Sequence, residues 1–155
     1  MAKTQTLYNE QRAKAKRWLN RYHFYAQINE RMLDLIAAAQ SSMMSVTAQM
    51  EETTTHTAKD ALSGQLARLD ELCLSLQDCA GMYGEFLDEI TQAIERVGEI
   101  DSLTGAVLAN RYLCWNRQPD FAEIADKLGY SEAHVKRLHT YGLDLLETFI
   151  KDDTF

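Results

Sequence analysis

The chain has few residues that interrupt helices and few that build strands. It contains a single proline, Pro119, and only seven glycines among 155 residues. β-branched residues are sparse and never form a run with the alternation typical of a strand. Strong helix formers such as Ala, Leu, Glu, Gln, Arg and Met dominate instead. Because few breakers over this length favour long helices, the sequence predicts an all-α fold.

The chain also lacks the features of disulfide-rich, metal-binding and membrane proteins. Its cysteines are odd in number and match no zinc-ligand spacing: Cys73, Cys79 and Cys114. We expect reduced, mostly buried thiols, as in a cytosolic protein. No stretch approaches the roughly 18 apolar residues of a membrane span, and the first residues do not resemble a signal peptide. These patterns predict no metal site and no membrane partner.

Catalytic motifs are missing as well. The four histidines fit neither the H-E-x-x-H pattern nor a His–Cys pair, and there is no glycine-rich phosphate loop. We therefore expect no enzymatic activity and no cofactor. His23, beside an aromatic stripe, is interpreted as structural, and His139 as a surface or hinge residue.

The net charge of −7 is unevenly distributed. Residues 1–21 carry six Lys or Arg against one acid, whereas residues 22–100 carry four basic and thirteen acidic side chains. The acidic total counts against tight, non-specific DNA binding, which requires Lys and Arg to neutralise phosphates. Net charge does not, however, decide what a single face of the protein binds.

The basic N-terminal stretch is a secondary candidate for DNA contact. Its cations lie on a predicted helix with aromatic residues interleaved, and they are suited to phosphate: Lys14, Lys16, Arg17 and Arg21. The alternative is a solvated helix end whose aromatic residues belong to a core. We favour that alternative here, because no motif matches the stretch.

Two long amphipathic helices are predicted over residues 1–99. The first has a seam with alternating steps of four and three: Trp18, Tyr22, Tyr25, Asn29, Met32, Ile36, Ala39, Met43, Val46 and Met50. The second repeats every seven residues: Leu62, Leu69, Leu76, Tyr83, Ile90 and Val97. A further set falls three residues after members of this repeat: Leu72, Cys79, Phe86, Ala93 and Ile100. Other apolar residues widen the two stripes: Leu19, Ala26 and Leu33 in the first helix, and Leu66, Cys73, Ala80, Leu87 and Ile94 in the second. The polar segment 51–57 is expected to be the loop of an antiparallel, coiled-coil-like hairpin, whose stripes pack on each other, on a second chain or on both.

Three shorter helices follow Gly98, which is expected to end the second long helix. Asp101 and Ser102 can cap a helix over residues 102–114, and residues 115–119 interrupt it. Asp120 can cap a helix over residues 121–128, with Glu123 as its capping-box partner. Ser131 can cap a last helix that runs to about Lys151.

Residues 119–141 match the steric requirements of a helix-turn-helix. Ala125 supplies the small residue where two helices cross, and Gly129 supplies a residue that adopts positive φ in the turn. Val135 then returns an apolar side chain to the first helix, and Ile124, Leu128 and Leu138 complete a small core. The alternative is an ordinary helical corner that touches no DNA.

The second helix of this motif would present its outward residues to a major groove. These residues are Ser131, Glu132, Ala133, His134, Lys136, Arg137 and Thr140. Arg137 and Lys136 can donate to guanine or to phosphate, and Glu132 can accept from cytosine. The alternative for each is a solvated surface side chain.

Four short segments carry a resemblance to a known family. Residues 108–113 read L-A-N-R-Y-L, 124–125 read I-A, 128–131 read L-G-Y-S, and 135–139 read V-K-R-L-H. With these segments, residues 100–146 closely resemble the C-terminal part of ArpU/RinA-type phage transcriptional regulators of Gram-positive bacteria. That part is similar to region 4 of sigma-70-type factors, which reads the promoter −35 element.

The resemblance implies a phage-encoded regulator that activates late genes, such as packaging and lysis genes, in the bacterial host cytoplasm. It implies double-stranded promoter DNA and host RNA polymerase as partners. We accordingly expect residues 1–99 to form a hairpin for homodimerisation or polymerase contact, and residues 100–155 to form the DNA-binding domain.

Two other functions stay open at this point. A module that binds polymerase or another regulator without touching DNA would account for the acidic net charge. A scaffold component of the virion would account for the long hairpin.

Overall fold

A computed structural model describes residues 1–114 and 117–150, and within these ranges the protein is built from five α-helices with no strand. The helices are α1 (Ala2–Glu52), α2 (His56–Ile100), α3 (Ser102–Tyr112), α4 (Phe121–Leu128) and α5 (Glu132–Glu147). The prediction of an all-α fold is confirmed. None of these helices is both long enough and apolar enough to cross a bilayer.

The joint between α1 and α2 is shorter than the sequence suggested. The predicted loop spans residues 51–57, but α1 continues to Glu52 and α2 begins at His56. The Thr53 amide still donates to the carbonyl oxygen of Gln49 at 3.0 Å, so helical hydrogen bonding persists to the end of α1. Polar composition alone did not end the helix.

Residues 27–85 form one compact unit, in which parts of α1 and α2 pack side by side. Its core consists of Ile36, Ala39, Cys73 and Ala80, with Met32, Met43 and Leu76 against it. Asn29 is the polar exception in the seam, and its Nδ2 donates to the carbonyl oxygen of Ala80 at 2.7 Å. This hydrogen bond satisfies a polar group that would otherwise be costly to desolvate.

Burial follows the predicted seams and stripes except at three residues. Every seam residue from Trp18 to Met50 is buried or half-buried. Leu33, Leu72 and Ile100 are instead exposed, at 54%, 49% and 55%. Leu33 and Leu72 each neighbour a residue packed on the core, and one step along a helix turns a side chain by about 100°. The stripes are nevertheless wider than the seams alone, because five widening residues are buried: Leu19, Ala26, Cys73, Ala80 and Ile94.

The second compact unit joins residues 1–26 to the residues from 86 onward. Ala15 and Leu19 of α1, both fully buried, share a core with Ile94 of α2 and Leu146 of α5. This grouping differs from the division at residue 100 suggested by the sequence. The functional roles expected for the two parts of the chain stay predictions.

Two glycines bring α2 and α3 together in this unit. Gly98 does not end α2, which runs to Ile100, but it lies against Gly105 of α3. A Cβ on Gly105 would lie 2.5 Å from the Cα of Gly98. Between them Asp101 caps α3, with Oδ1 accepting from the Leu103 amide at 3.1 Å, as predicted. The sharp connection between the helices therefore depends on the missing side chain.

We predict that Gly105→Ala lowers the free energy of unfolding by about 2 kcal/mol or more, because the new methyl group meets backbone that cannot move aside. Urea unfolding followed by circular dichroism measures the change. Gly64→Ala is the control. No atom beyond the helix's own backbone lies within 4 Å of its new Cβ, so we expect a gain of about 0.5–1 kcal/mol from helix propensity. Equal stability of the two variants would contradict the close contact.

Candidate functional site

The start of α4 is fixed by Asp120 and by two arginines. Asp120 Oδ1 accepts from the Glu123 amide at 2.8 Å, so the predicted N-cap is confirmed. The Glu123 carboxylate, predicted as the other half of a capping box, accepts instead from Arg117 Nη2 at 2.6 Å. A charged donor makes a stronger hydrogen bond than a neutral amide. Arg111 donates to the carbonyl oxygen of Pro119 at 2.5 Å and so holds the residues before α4.

The turn between α4 and α5 depends on Gly129. Its φ of 76° is the only positive φ in the part of the chain that the structure describes. The amides of Gly129 and Tyr130 both donate to the carbonyl oxygen of Ala125, at 2.9 and 3.0 Å. This arrangement ends α4 and turns the chain. Ser131 then caps α5, with its Oγ accepting from the His134 amide at 3.2 Å, as predicted.

A small core holds α4 and α5 together after the turn. Ile124 and Ala125 of α4 pack with Val135 of α5 and Val107 of α3, and each is at most 4% exposed. Leu128 and Leu138 lie partly buried against this cluster. The burial of all five residues expected to form this core is therefore confirmed. α5 is anchored along one side and presents its other side to solvent.

The outward side of α5 carries the residues that were predicted to contact DNA. Five are exposed and two are half-buried: Ser131, Glu132, Ala133, Lys136 and Arg137 in the first group, His134 and Thr140 in the second. The Thr140 hydroxyl donates to the carbonyl oxygen of Lys136 at 3.1 Å. The structure brings these residues together on one helix, while their contact with DNA stays a prediction.

The two cations on this face differ in their surroundings. Lys136 Nζ lies 2.9 Å from Glu132 Oε1, and this exposed ion pair joins residues one helical turn apart. Arg137 forms no ion pair with any residue in the ranges 1–114 and 117–150. Exposed pairs of this kind are weak, so Lys136 can exchange partners at little cost. Arg137 is the cation that needs no rearrangement before it binds an anion.

His139 lies on the opposite side of α5, and its interpretation as a surface or hinge residue is wrong. It is 6% exposed, and its Nε2 lies 2.6 Å from the hydroxyl oxygen of Tyr112 in α3. The Phe121 ring packs edge-on at 4.9 Å between centroids. His139 directly follows Leu138, and its side chain lies on the side of α5 that faces Tyr112 and Phe121. The sequence signal for its burial was its position directly after Leu138 and one helical turn after Val135, which both pack in the core.

Burial sets the protonation of this pair. Desolvation, assisted by the positive charges of Arg111 and Lys16, lowers the pKa of His139 to about 4. Desolvation also raises the pKa of Tyr112 to about 12, against an opposing effect of Arg111. Both side chains are therefore neutral at pH 7, and they are joined by a hydrogen bond in a buried site.

The end of α5 differs from the prediction. The helix was expected to run to about Lys151, but it ends at Glu147, with Thr148 as its C-cap. The Thr148 hydroxyl donates to the carbonyl oxygen of Leu145 at 2.7 Å. In a continuing helix a backbone amide would donate to that carbonyl instead. Lys151 itself lies outside the described residues, as do Trp115 and Asn116 in the predicted break after α3.

A long-range ion pair joins the start of the chain to α5. Arg12 donates from Nε and Nη2 to the two carboxylate oxygens of Asp144, at 2.6 and 2.8 Å. Sequence reasoning did not single out Asp144. The available signal was spacing, because Asp144 lies four residues beyond Thr140 and seven beyond Arg137, on the same helical stripe.

The secondary cations are distributed around α1. Lys14, Lys16 and Arg17 are exposed, and Arg21 is half-buried. Lys14 and Arg21 have interaction partners within the chain. A DNA contact by any of the four stays a prediction.

The described residues contain no group of three or more His, Cys, Asp or Glu side chains arranged to hold a metal ion. Comparison with known protein families, curated proteins and solved structures gives no match for this chain. The geometry of α4 and α5 and the sequence resemblance are therefore the features that bear on function.

We predict that Gly129→Ala destabilises the protein by about 1–2 kcal/mol, because an alanine in the left-handed region carries a backbone penalty. Steric overlap does not contribute, since no atom lies within 4 Å of the added Cβ. Gly129→Asn is the matched control and should lose less, because asparagine tolerates this conformation. Thermal unfolding gives the order of the three proteins. An alanine variant as stable as the parent would exclude the positive φ.

The depressed pKa of His139 predicts a pH-dependent stability. Between pH 6.5 and about 4 the unfolded chain binds a proton at this residue and the folded chain does not, so stability falls as the pH falls. His139→Gln removes this contribution. We expect the stability advantage of the parent over the variant to shrink by on the order of 2 kcal/mol between pH 7 and 4.5, measured by urea unfolding. A constant difference across that range would contradict a neutral, buried His139.

Proposed function

We propose that this protein is a phage-encoded, sequence-specific DNA-binding regulator with a helix-turn-helix formed by α4, the turn at Gly129 and α5. It activates late genes, such as those for packaging and lysis, through host RNA polymerase. The sequence resemblance to ArpU/RinA-type regulators and to sigma-70 region 4 over residues 100–146 suggests this role. In this proposal α1 and α2 form a hairpin that dimerises or contacts polymerase.

One observation carries the proposal: α5 is anchored on one side and solvated on the side that bears the candidate contacts. Val135 is fully buried against α4, while Lys136 and Arg137, the next two residues, are exposed. A recognition helix requires this division, because it must be held rigidly and still enter the major groove. Its N-terminal end, capped by Ser131, also offers amides to a phosphate.

Arg137 is the residue most directly suited to base recognition. Its guanidinium matches the O6 and N7 acceptors of guanine with two parallel hydrogen bonds. Glu132 complements it as an acceptor for the amino group of cytosine, once its pair with Lys136 opens. The face thus presents both a donor and an acceptor to the base edges.

The test is DNA binding by the full chain, with duplexes first selected from a random library. We predict that Arg137→Ala loses about 1–3 kcal/mol, or roughly 5- to 150-fold, on selected duplexes and much less on random ones if Arg137 reads a base. Arg68→Ala, an exposed arginine of α2, should bind like the parent. Equal loss on every duplex would assign Arg137 to phosphate, and no loss would remove it from the interface.

A protein-interaction module is the second candidate, and the net charge of −7 favours it. In that case the outward face of α5 binds polymerase or another regulator. Gel-shift experiments at low and moderate salt separate the two functions. If the parent protein retards no duplex even at low salt, DNA binding is excluded and the interaction module is supported.

A further inference from the structure

The N-terminal part of α1 shares a compact unit with α5 and with the segment before α4, and it contacts both. Positions 12, 16, 20 and 23 are spaced by four, four and three residues, so they share one stripe of the helix. Three of them contact other parts of the unit. Arg12 binds Asp144, Asn20 Oδ1 accepts from Gln118 Nε2 at 3.2 Å, and His23 Nδ1 lies 3.3 Å from the carbonyl oxygen of Cys114.

Lys16 lies between these contacts. It is one turn beyond Arg12 and one turn before Asn20, so its backbone lies between two contacts that join α1 to the rest of the unit. Its side chain is nevertheless exposed.

The contact of Arg12 with Asp144 also reaches the outward face of α5. Ala133, Arg137, Thr140 and Asp144 are spaced by four, three and four residues and form one stripe. Asp144 is therefore the C-terminal member of the stripe that carries Arg137. Arg12 of α1 reaches this end of the stripe and neutralises the Asp144 carboxylate.

We propose that Lys16 binds a backbone phosphate of the DNA duplex, and that residues 1–26 thus belong to the DNA-binding surface rather than to the hairpin alone. This inference rests on the function proposed above. Without Arg12, the Asp144 carboxylate would repel a phosphate at this end of the stripe. With Asp144 paired to Arg12, the positive charge of Lys16 is free to attract a phosphate.

The structure separates Lys16 from the other cations of the N-terminal stretch. Lys14 is two residues away and therefore turned by about 200°, to the other side of α1. Lys14 and Arg21 also interact within the chain. Arg17, one residue after Lys16, is turned by about 100° and so lies off the stripe that Arg12 and Asn20 define. The sequence offered all four cations as candidates, and Lys16 is the one that lies on this stripe.

The experiment is a salt titration of binding to a 30-base-pair mixed-sequence duplex, followed by fluorescence anisotropy between about 50 and 200 mM salt. The slope of log K against log salt is negative, and each lost phosphate contact reduces its magnitude by about 0.9. We expect Lys16→Gln to reduce that magnitude by about 1 and to weaken binding roughly fivefold to tenfold at 0.1 M salt. Lys16→Arg should retain the parental slope, and Lys14→Gln is the matched control that should also retain it.

The outcomes distinguish this inference from the proposed function. If Lys16→Gln binds with the parental slope while Arg137→Ala weakens binding, the role of Lys16 is overturned and DNA binding by α5 stands. If Lys16→Gln and Lys14→Gln reduce the magnitude of the slope equally, the effect belongs to the total charge of α1 and the specific contact is overturned. If the parent protein does not bind at 50 mM salt, both proposals fail. Unchanged circular dichroism melting of Lys16→Gln establishes that its binding loss does not come from unfolding.

Discussion

The left-handed backbone at Gly129 is the constraint on which the arrangement of α4 and α5 depends. It allows two amides to return to the Ala125 carbonyl and so ends α4 within one residue. The chain then re-enters a helix at Ser131 with its apolar side facing back, and Val135 reaches the core beside Ile124. A residue with a Cβ at this turn adds strain, and a continuous helix would remove the anchored face altogether.

Burial on one side of α5 and solvation on the other have a common origin. Val135, His139 and Leu146 point into the unit, so the stripe from Ala133 to Asp144 is left outside. On the buried side of α5, Tyr112 and His139 form a hydrogen bond between two neutral groups. No charge is therefore buried at this pair, where desolvation would be costly. The same helix is thereby both a structural element and a candidate binding surface.

Local sequence patterns predicted much of the fold because their causes are local. The caps at Asp101, Asp120 and Ser131 each involve a side chain and an amide no more than three residues apart. The seams and wider stripes of α1 and α2 follow from helical periodicity, and Leu33, Leu72 and Ile100 are the predicted members that are exposed instead. The outward residues of α5 follow from the same arithmetic.

Long-range contacts were not predictable in this way. The pair of Arg12 with Asp144 joins residues 132 positions apart, and the burial of His139 depends on Tyr112 and Phe121, which lie on two other helices. The close approach of Gly98 and Gly105 is also a property of two helices together. No single-sequence pattern encodes such proximity, so the membership of residues 1–26 in the same unit as α5 became visible only in three dimensions.

The central claim is that the solvated face of α5 binds duplex DNA. Amide chemical-shift changes during titration with a selected duplex test it most directly, because every residue is observed at once. The account predicts the largest changes at residues 131–137 and 140, with a second, smaller set around Lys16 and little change over residues 27–85. Shifts confined to residues 27–85, or none at all at low salt, would contradict it.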